Sequence, residues 1–220
     1  VPKNNATSSA VVERSNTKLA AVVDDQKSID KKQNDQMFQR MADQLEVAAD
    51  YYREQLKHAT KAISYLKQRG LSGELAARFK IGYAPDGLRN LSQIFADYDQ
   101  DESENLLLRN GLVIKSNNGK YYDRFRARII FPILNQKGQI IGFGGRVIDA
   151  ASGPKYLNSP ETPLFIKSRE LYNLFSARKA IRESGRVLVV EGYMDVVMLS
   201  QYGIEYAVAT LGTATTSSHI

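Results

Sequence analysis

The chain of 220 residues contains no cysteine, no tryptophan and only two histidines. Without cysteine there is no disulfide scaffold, thiol nucleophile, iron–sulfur cluster or cysteine zinc site within these residues. His58 and His219 stand far apart, so a multi-histidine metal centre is excluded too. His58, near Lys57 and Lys61 in a helical pattern, reads as structural or exposed. No apolar run approaches the roughly 20 residues of a membrane span, and the start is unlike a signal peptide. The first residue is Val rather than Met, as in a processed chain or a fragment. A soluble, cytoplasmic protein with one sizeable core or two small ones is expected.

What is present is charge, unevenly spread. Residues 1–111 carry 16 basic and 16 acidic side chains, and residues 112–186 carry 14 basic against 5 acidic. Residues 187–220 carry 3 acidic groups and no basic one. A basic block followed by a short acidic one suggests a polyanion track beside a cation-binding site. A solvated surface that happens to be basic is the alternative.

Residues 1–35, rich in Asn, Ser, Thr, Lys, Asp and Gln and without an aromatic ring, read as a disordered linker or tail. A helix is expected from a cap at Asn34 or Asp35. Met37, Phe38, Met41, Leu45, Ala49, Tyr52 and Leu56 form its buried stripe. A second helix should end at Gly70, and Ser72 should cap a third. Short helices fit Leu88 to Ala96 and Glu102 to Asn110. From Leu112 the period changes to strands, with hairpin turns at Asn117-Asn118-Gly119 and at Asn135–Gly138. A helix over Glu170–Ser184 follows, then the apolar strand Val187–Val190, of the kind buried on both faces of a parallel sheet. A helix over Asp195–Tyr202 and a strand over Tyr206–Leu211 complete a βαβ unit.

Several residues in this frame can carry chemistry. Glu191 ends the first parallel strand, the edge where open α/β sheets place ligands, and Asp195 follows at the start of a helix. Oxygen donors of this kind suit a hard divalent cation, although Glu191 could instead cap the helix. The Gly/Thr loop Leu211–Thr216 ends the next strand on the same edge. Strand alternation would put Arg124, Arg126 and Arg128 on one face, suited to a phosphate backbone with tyrosines for base stacking; a solvated strand face is the other reading. Gly142, Gly144 and Gly145 permit close approach by another group, and Arg146 could reach a phosphate there. Lys155, Tyr156 and Asn158 offer an ammonium, a ring and an amide in one loop, with Lys167 as a second cation.

Four segments, in this order, resemble the RNA-polymerase domain of bacterial replicative primase of the DnaG type. They are Tyr122–Arg126, Ile140–Arg146, Lys155–Thr162 and Val190–Asp195, with Tyr65–Leu71 and Phe79–Pro85 upstream. The resemblance spans about residues 37–220 and implies an α/β fold: a mixed α+β basic subdomain followed by the first βαβ of a Toprim parallel sheet. The implied divisions are a tail over 1–35, the basic subdomain over 36–168 and an incomplete Toprim domain over 169–220. It implies primer synthesis on single-stranded DNA by nucleotidyl transfer dependent on Mg2+ or Mn2+, with Glu191 as metal ligand and Asp195 in the same acidic motif. Arg124, Arg126, Arg128, Arg146, Lys155, Tyr156, Asn158 and Lys167 would line the template and nucleotide groove. Single-stranded DNA, ribonucleoside triphosphates and the RNA primer are the implied partners, with a replicative helicase contacted through a domain outside this chain, and no membrane. The family's zinc domain would lie upstream and its remaining acidic ligands beyond Ile220. The expectation is a fragment that binds template, is largely inactive alone and exposes apolar surface beside Val187–Val190. A non-catalytic single-strand-binding or regulatory module and another Toprim enzyme, topoisomerase or nuclease, are the competing readings.

Overall fold

The computed structural model describes residues 6–149 and 153–212, with side chains from residue 31 onward. The chain divides into two compact units, residues 1–40 and 41–220. Helix α1 (Ala6–His58) begins well before Asn34 and Asp35, so neither residue caps it, and the stretch expected as a tail is helical from Ala6. No glycine or proline stands between Pro2 and Gly70, and the helix runs unbroken to His58, where Ala59 leaves the helical conformation with a ψ of 81° before the next helix. Phe38, expected in the buried stripe, is 36% exposed, whereas Met41, Leu45, Ala49 and Tyr52 are buried as their spacing predicts. His58 is exposed and lies 3.3 Å from Glu54.

Helix α2 (Thr60–Gln68) ends at Gly70, whose φ of +80° lets the Leu71 amide reach back to the Leu66 carbonyl at 3.0 Å. Ser72 Oγ accepts from the Leu75 amide at 3.1 Å and so caps α3 (Gly73–Arg78). Strand β1 (Gly82–Ala84) follows. The helix expected over Leu88–Ala96 is only a 3-10 turn at Asn90–Gln93. There the Leu91 amide donates to the Asp123 carboxylate at 3.1 Å, and the Asn90 side chain donates to the Pro85 and Gly87 carbonyls. Polar side chains thus take the bonds an α-helical ladder would use. The helix expected over Glu102–Asn110 shortens to α4 (Leu106–Arg109), because Asn105 caps it by accepting from the Leu108 amide at 2.9 Å.

Both hairpins form where turn chemistry placed them. Strands β2 (Val113–Lys115) and β3 (Tyr121–Asp123) pair antiparallel across Asn117-Asn118-Gly119. Strands β4 (Arg128–Leu134) and β5 (Ile140–Val147) pair across residues 135–139, where Asn135 Oδ1 accepts from the Lys137 and Gln139 amides. With β6 (Tyr156–Asn158) they make an antiparallel sheet in the order β1-β4-β5-β6. Its centre is covered on both faces. Ile129, Phe131 and Ile133 join a cluster with Leu66 and Leu75, while Ile130 joins Leu45, Tyr52 and Phe143 on the other side.

Helix α5 (Leu174–Ser184) starts four residues later than expected. Tyr172 instead exchanges backbone bonds with Ala209 at 2.9 and 3.2 Å, and Asn173 turns the chain with a φ of +68°. The βαβ unit is present: β7 (Leu188–Val190), α6 (Tyr193–Gln201) and β8 (Ala207–Ala209), with the two strands parallel. β8 is buried throughout, but β7 is not buried on both faces as a central strand would be. The architecture is the mixed α/β class the sequence implied. Among the described residues no helix is long and apolar enough to cross a membrane.

Candidate nucleic-acid interface

The arginine-rich stretch is shaped by what flanks it. Asp123 is 1% exposed at the end of β3, where it accepts from the Tyr98 hydroxyl at 2.8 Å, and Phe125 is buried in the core. Two such anchors two residues apart pull the chain inward, and Ala127 completes the turn with a φ of +49°. Residues 124–127 are therefore not a strand, and alternation does not explain how the arginines meet. The turn brings them together instead. Arg124, Arg126 and Arg128 line one cavity of about 330 Å³ with Tyr122, Asp86 and Leu157. Arg124 donates twice to the Asn158 carbonyl, at 3.1 and 3.0 Å, and Arg128 donates to the Pro154 carbonyl at 2.8 Å. Arg126 donates to the Asp123 carbonyl and lies 5.1 Å from the Tyr122 ring centroid. Burial lowers the Arg124 pKa, and burial with the neighbouring Arg126 charge lowers that of Arg128. A guanidinium has so high a starting value that both remain cations, held by carbonyl dipoles in a cavity with three positive charges.

A second group of cations runs along β5 and β6. Arg146 stands opposite Tyr156 in the register, and its Nη1 donates to the Tyr156 hydroxyl while its Nε donates to the Tyr65 hydroxyl. Its guanidinium also lies over both rings, 5.0 Å from the centroid of Tyr156 and 5.6 Å from that of Tyr65. Arg69 covers Tyr65 at 5.4 Å and Lys155 covers Tyr156 at 5.9 Å. The result is an alternating row: Arg69, Tyr65, Arg146, Tyr156, Lys155. Tyr65 and Arg69 were not among the expected site residues. Both lie in the segment Tyr65–Leu71 that resembles the family, and their spacing of four, from α2 to its C-cap, puts them on one side of the helix; those were the signals in the sequence.

The glycines of β5 do not hold space open for a ligand. A Cβ on Gly144 would sit 2.3 Å from Cζ of Tyr193, one on Gly145 2.8 Å from the Phe125 ring, and one on Gly142 3.2 Å from Ser159. The close approach they allow is by the protein's own side chains, so the phosphate expected there finds the place taken.

Glu191 and Asp195 are both exposed, in the turn after β7 and in the first turn of α6. A Cβ on Gly192 would lie 3.0 Å from the Asp195 carboxylate and 3.9 Å from the Tyr156 hydroxyl, so Tyr156 brings the row beside the acidic turn. The Tyr156 pKa is raised, first by burial and also by the Asp195 charge, against the opposing pull of Arg146. Asn158 ties the two parts together: its Nδ2 donates to the Leu211 carbonyl at 2.8 Å and its Oδ1 accepts from the Tyr193 hydroxyl at 2.8 Å. Its amide is thus engaged within the protein. Lys167 lies in a 3-10 turn, Lys167–Arg169, where its backbone amide donates to Glu161 at 3.2 Å. Of the loop Leu211–Thr216, residues 213–216 fall outside the described residues. Two exposed carboxylates are donors of the type a hard divalent cation takes, and they fit one as part of a ligand set. Among the described residues no group of three His, Cys, Asp or Glu side chains stands close enough to hold a metal.

Comparison with known proteins identifies the family. The family described as DNA primase catalytic core, N-terminal domain, matches residues 51–178, and the Toprim domain matches residues 185–220. The DNA primase of Neisseria meningitidis serogroup A is 56% identical over 172 residues, which cover 78% of this chain and 28% of that protein. The DNA primase of Escherichia coli K12 is 51% identical over 172 residues, 77% of this chain and 29% of its own length. This chain therefore spans under a third of the curated relatives it matches. Among solved structures, a DnaG primase catalytic domain bound to single-stranded DNA superposes with a TM-score of 0.76 at 45% identity, covering 84% of this chain and 59% of that one. The RNA polymerase domain of Mycobacterium tuberculosis primase superposes with a TM-score of 0.73 at 33% identity, covering 82% of this chain and 59% of that one. With more than half of its length matched by one domain model, and a Toprim segment following in order, the chain belongs to the DNA primase catalytic core family.

Proposed function

We propose that this chain holds the single-stranded DNA template, and the incoming ribonucleotide, of a primase that makes short RNA primers during replication. The observation that carries this reading is the convergence of Arg124, Arg126 and Arg128 on one cavity of about 330 Å³. Charges that lean on carbonyl oxygens keep their attraction for an anion, and a phosphate backbone presents a row of anions. In this reading residues 1–35 are a tail, 36–168 the basic subdomain and 169–220 the Toprim part. The cavity arginines, with Arg146, Lys155, Tyr156 and Lys167, line one groove that takes the template strand and the nucleotide phosphates. Asn158 acts from within the protein by holding the Arg124 guanidinium and the α6 start in register.

The chemistry is nucleotidyl transfer: the 3′-hydroxyl of one nucleotide attacks the α-phosphorus of the next, and pyrophosphate leaves. Glu191 and Asp195 would hold Mg2+ or Mn2+, which supplies charge neutralisation at the triphosphate. The chain's own basic residues contribute positioning and charge stabilisation. The replication fork in the cytoplasm is the place of action, and a helicase partner would act through a part of the protein other than these residues.

The test is fluorescence anisotropy of a labelled single-stranded oligonucleotide at several salt concentrations, beside the Arg146→Glu, Lys155→Glu double variant. Binding that weakens steeply with salt and drops on the order of a hundredfold in the double variant is the expected result. Binding indifferent to both salt and the reversals would mean that the basic stretch is ordinary surface charge.

A further inference from the structure

Arg146 is 7% exposed, and no carboxylate among the described residues forms an ion pair with it. Removing a cation from water costs several kcal/mol unless something replaces the lost hydration, and a buried arginine ordinarily gains a carboxylate. Here the replacement is neutral. Two phenol oxygens accept from Nε and Nη1, and the same two rings present their faces to the guanidinium. A tyrosine phenol is uncharged at neutral pH, so neither bond cancels the arginine charge.

We infer that Tyr65 is a positioning residue: its hydroxyl and ring, with those of Tyr156, fix the Arg146 guanidinium beside the Gly192–Asp195 turn and leave its full charge for a phosphate ligand. The inference rests on the proposed function for the need of a phosphate at that point, but the clamp itself is a matter of geometry. A carboxylate in place of Tyr65 would hold Arg146 as firmly and neutralise it. A phenol holds without neutralising. Tyr65 also receives Arg69 on its ring at 5.4 Å, so one helix residue seats two cations of the row.

The variant Tyr65→Phe tests this, since it removes one oxygen and keeps the ring and the packing. Two readouts are needed. In 1H–15N spectra tuned to arginine side chains, the Nε–H of Arg146 should give a slowly exchanging signal that is lost in Tyr65→Phe. In anisotropy titrations with labelled single-stranded DNA and with a fluorescent ribonucleoside triphosphate, Tyr65→Phe should weaken at least one ligand by about tenfold, the loss of one hydrogen bond to a charged group. The same substitution should do nothing in an Arg146→Ala background, because the interaction energy is then already gone. The two arms distinguish a template phosphate from a nucleotide phosphate. If Arg146→Ala weakens binding but Tyr65→Phe does not, or if the Nε–H signal persists in Tyr65→Phe, the positioning role is wrong and the proposed interface stands. If Arg146→Ala changes neither ligand, the placing of Arg146 in the interface falls, and the role of Tyr65 with it. A Tyr65→Phe loss that survives unchanged in the Arg146→Ala background would mean Tyr65 acts by itself and would also overturn the inference.

Discussion

β4 and β7 both carry continuous apolar runs, yet Ile129 to Ile133 of β4 are buried while Val187, Leu188 and Val189 around β7 are 49%, 37% and 42% exposed. The same contrast recurs at the carboxylates that close strands in the two regions. β3 ends in Asp123, which is buried and accepts from the Tyr98 hydroxyl and the Leu91 amide. β7 runs into Glu191, which is exposed. A carboxylate that closes a strand is thus a packed latch in one place and an open oxygen ligand in the other. The difference lies in neighbours: β4 has strands on both edges and apolar clusters on both faces, whereas β7 hydrogen-bonds only to β8 among the described strands. Apolar composition makes burial favourable, but only a covering element delivers it.

This contrast can be broken or sharpened by substitution. The largest effect is expected from Phe131→Ala. Phe131 is fully buried and stacks on Tyr193 with ring centroids 5.3 Å apart, so its loss should cost about 3–5 kcal/mol, read as a lower urea midpoint. The next concerns Asp123, whose pKa is raised, chiefly by burial, above its ordinary value. A raised acid binds its proton more tightly in the folded state, so its contribution to stability is greatest below the unfolded pKa of about 3.9 and falls as pH rises towards the folded value. The stability of the native chain relative to Asp123→Asn, on the order of 1 kcal/mol from the altered hydrogen bonds, should therefore shrink as pH rises above about 4. Urea midpoints of the two proteins across that range would show it, and a difference independent of pH would mean Asp123 titrates normally. The smallest effect is expected at β7. Val189→Thr removes apolar surface that already meets water and should change stability by within about 0.5 kcal/mol. A loss comparable to that of Phe131→Ala would mean that β7 is covered in solution, and the two regions would cease to differ.

The hairpins, the caps at Ser72 and Gly70 and the βαβ unit were legible because each rests on a few adjacent residues. Asn-Gly accepts a turn, Ser accepts an amide and a run of valines makes a strand, whatever lies elsewhere in the chain. The lengths of the helices were not legible. The turn at Asn90–Gln93 depends on a carboxylate 32 residues away, and the late start of α5 depends on Tyr172 joining β8 by its backbone. At the candidate site the residue types were readable but their grouping was not. The spacing of Arg124, Arg126 and Arg128 suggested a strand face, and the glycines of β5 suggested room for a phosphate. The structure instead gathers the arginines by a turn pinned through buried Asp123 and Phe125, and fills the glycine spaces with Tyr193 and Phe125.

By itself the sequence determined the family, the class of fold, the excess of positive charge between residues 112 and 186 and the acidic turn that follows it. These are properties of residue type and order. The tertiary structure alone decided that Tyr65 and Arg69 join Arg146 and that Asn158 spends its amide on Leu211 and Tyr193. Hydrogen bonds and burial depend on which atoms come within about 3–4 Å, and distances between residues 81 or 53 apart in sequence are set by packing.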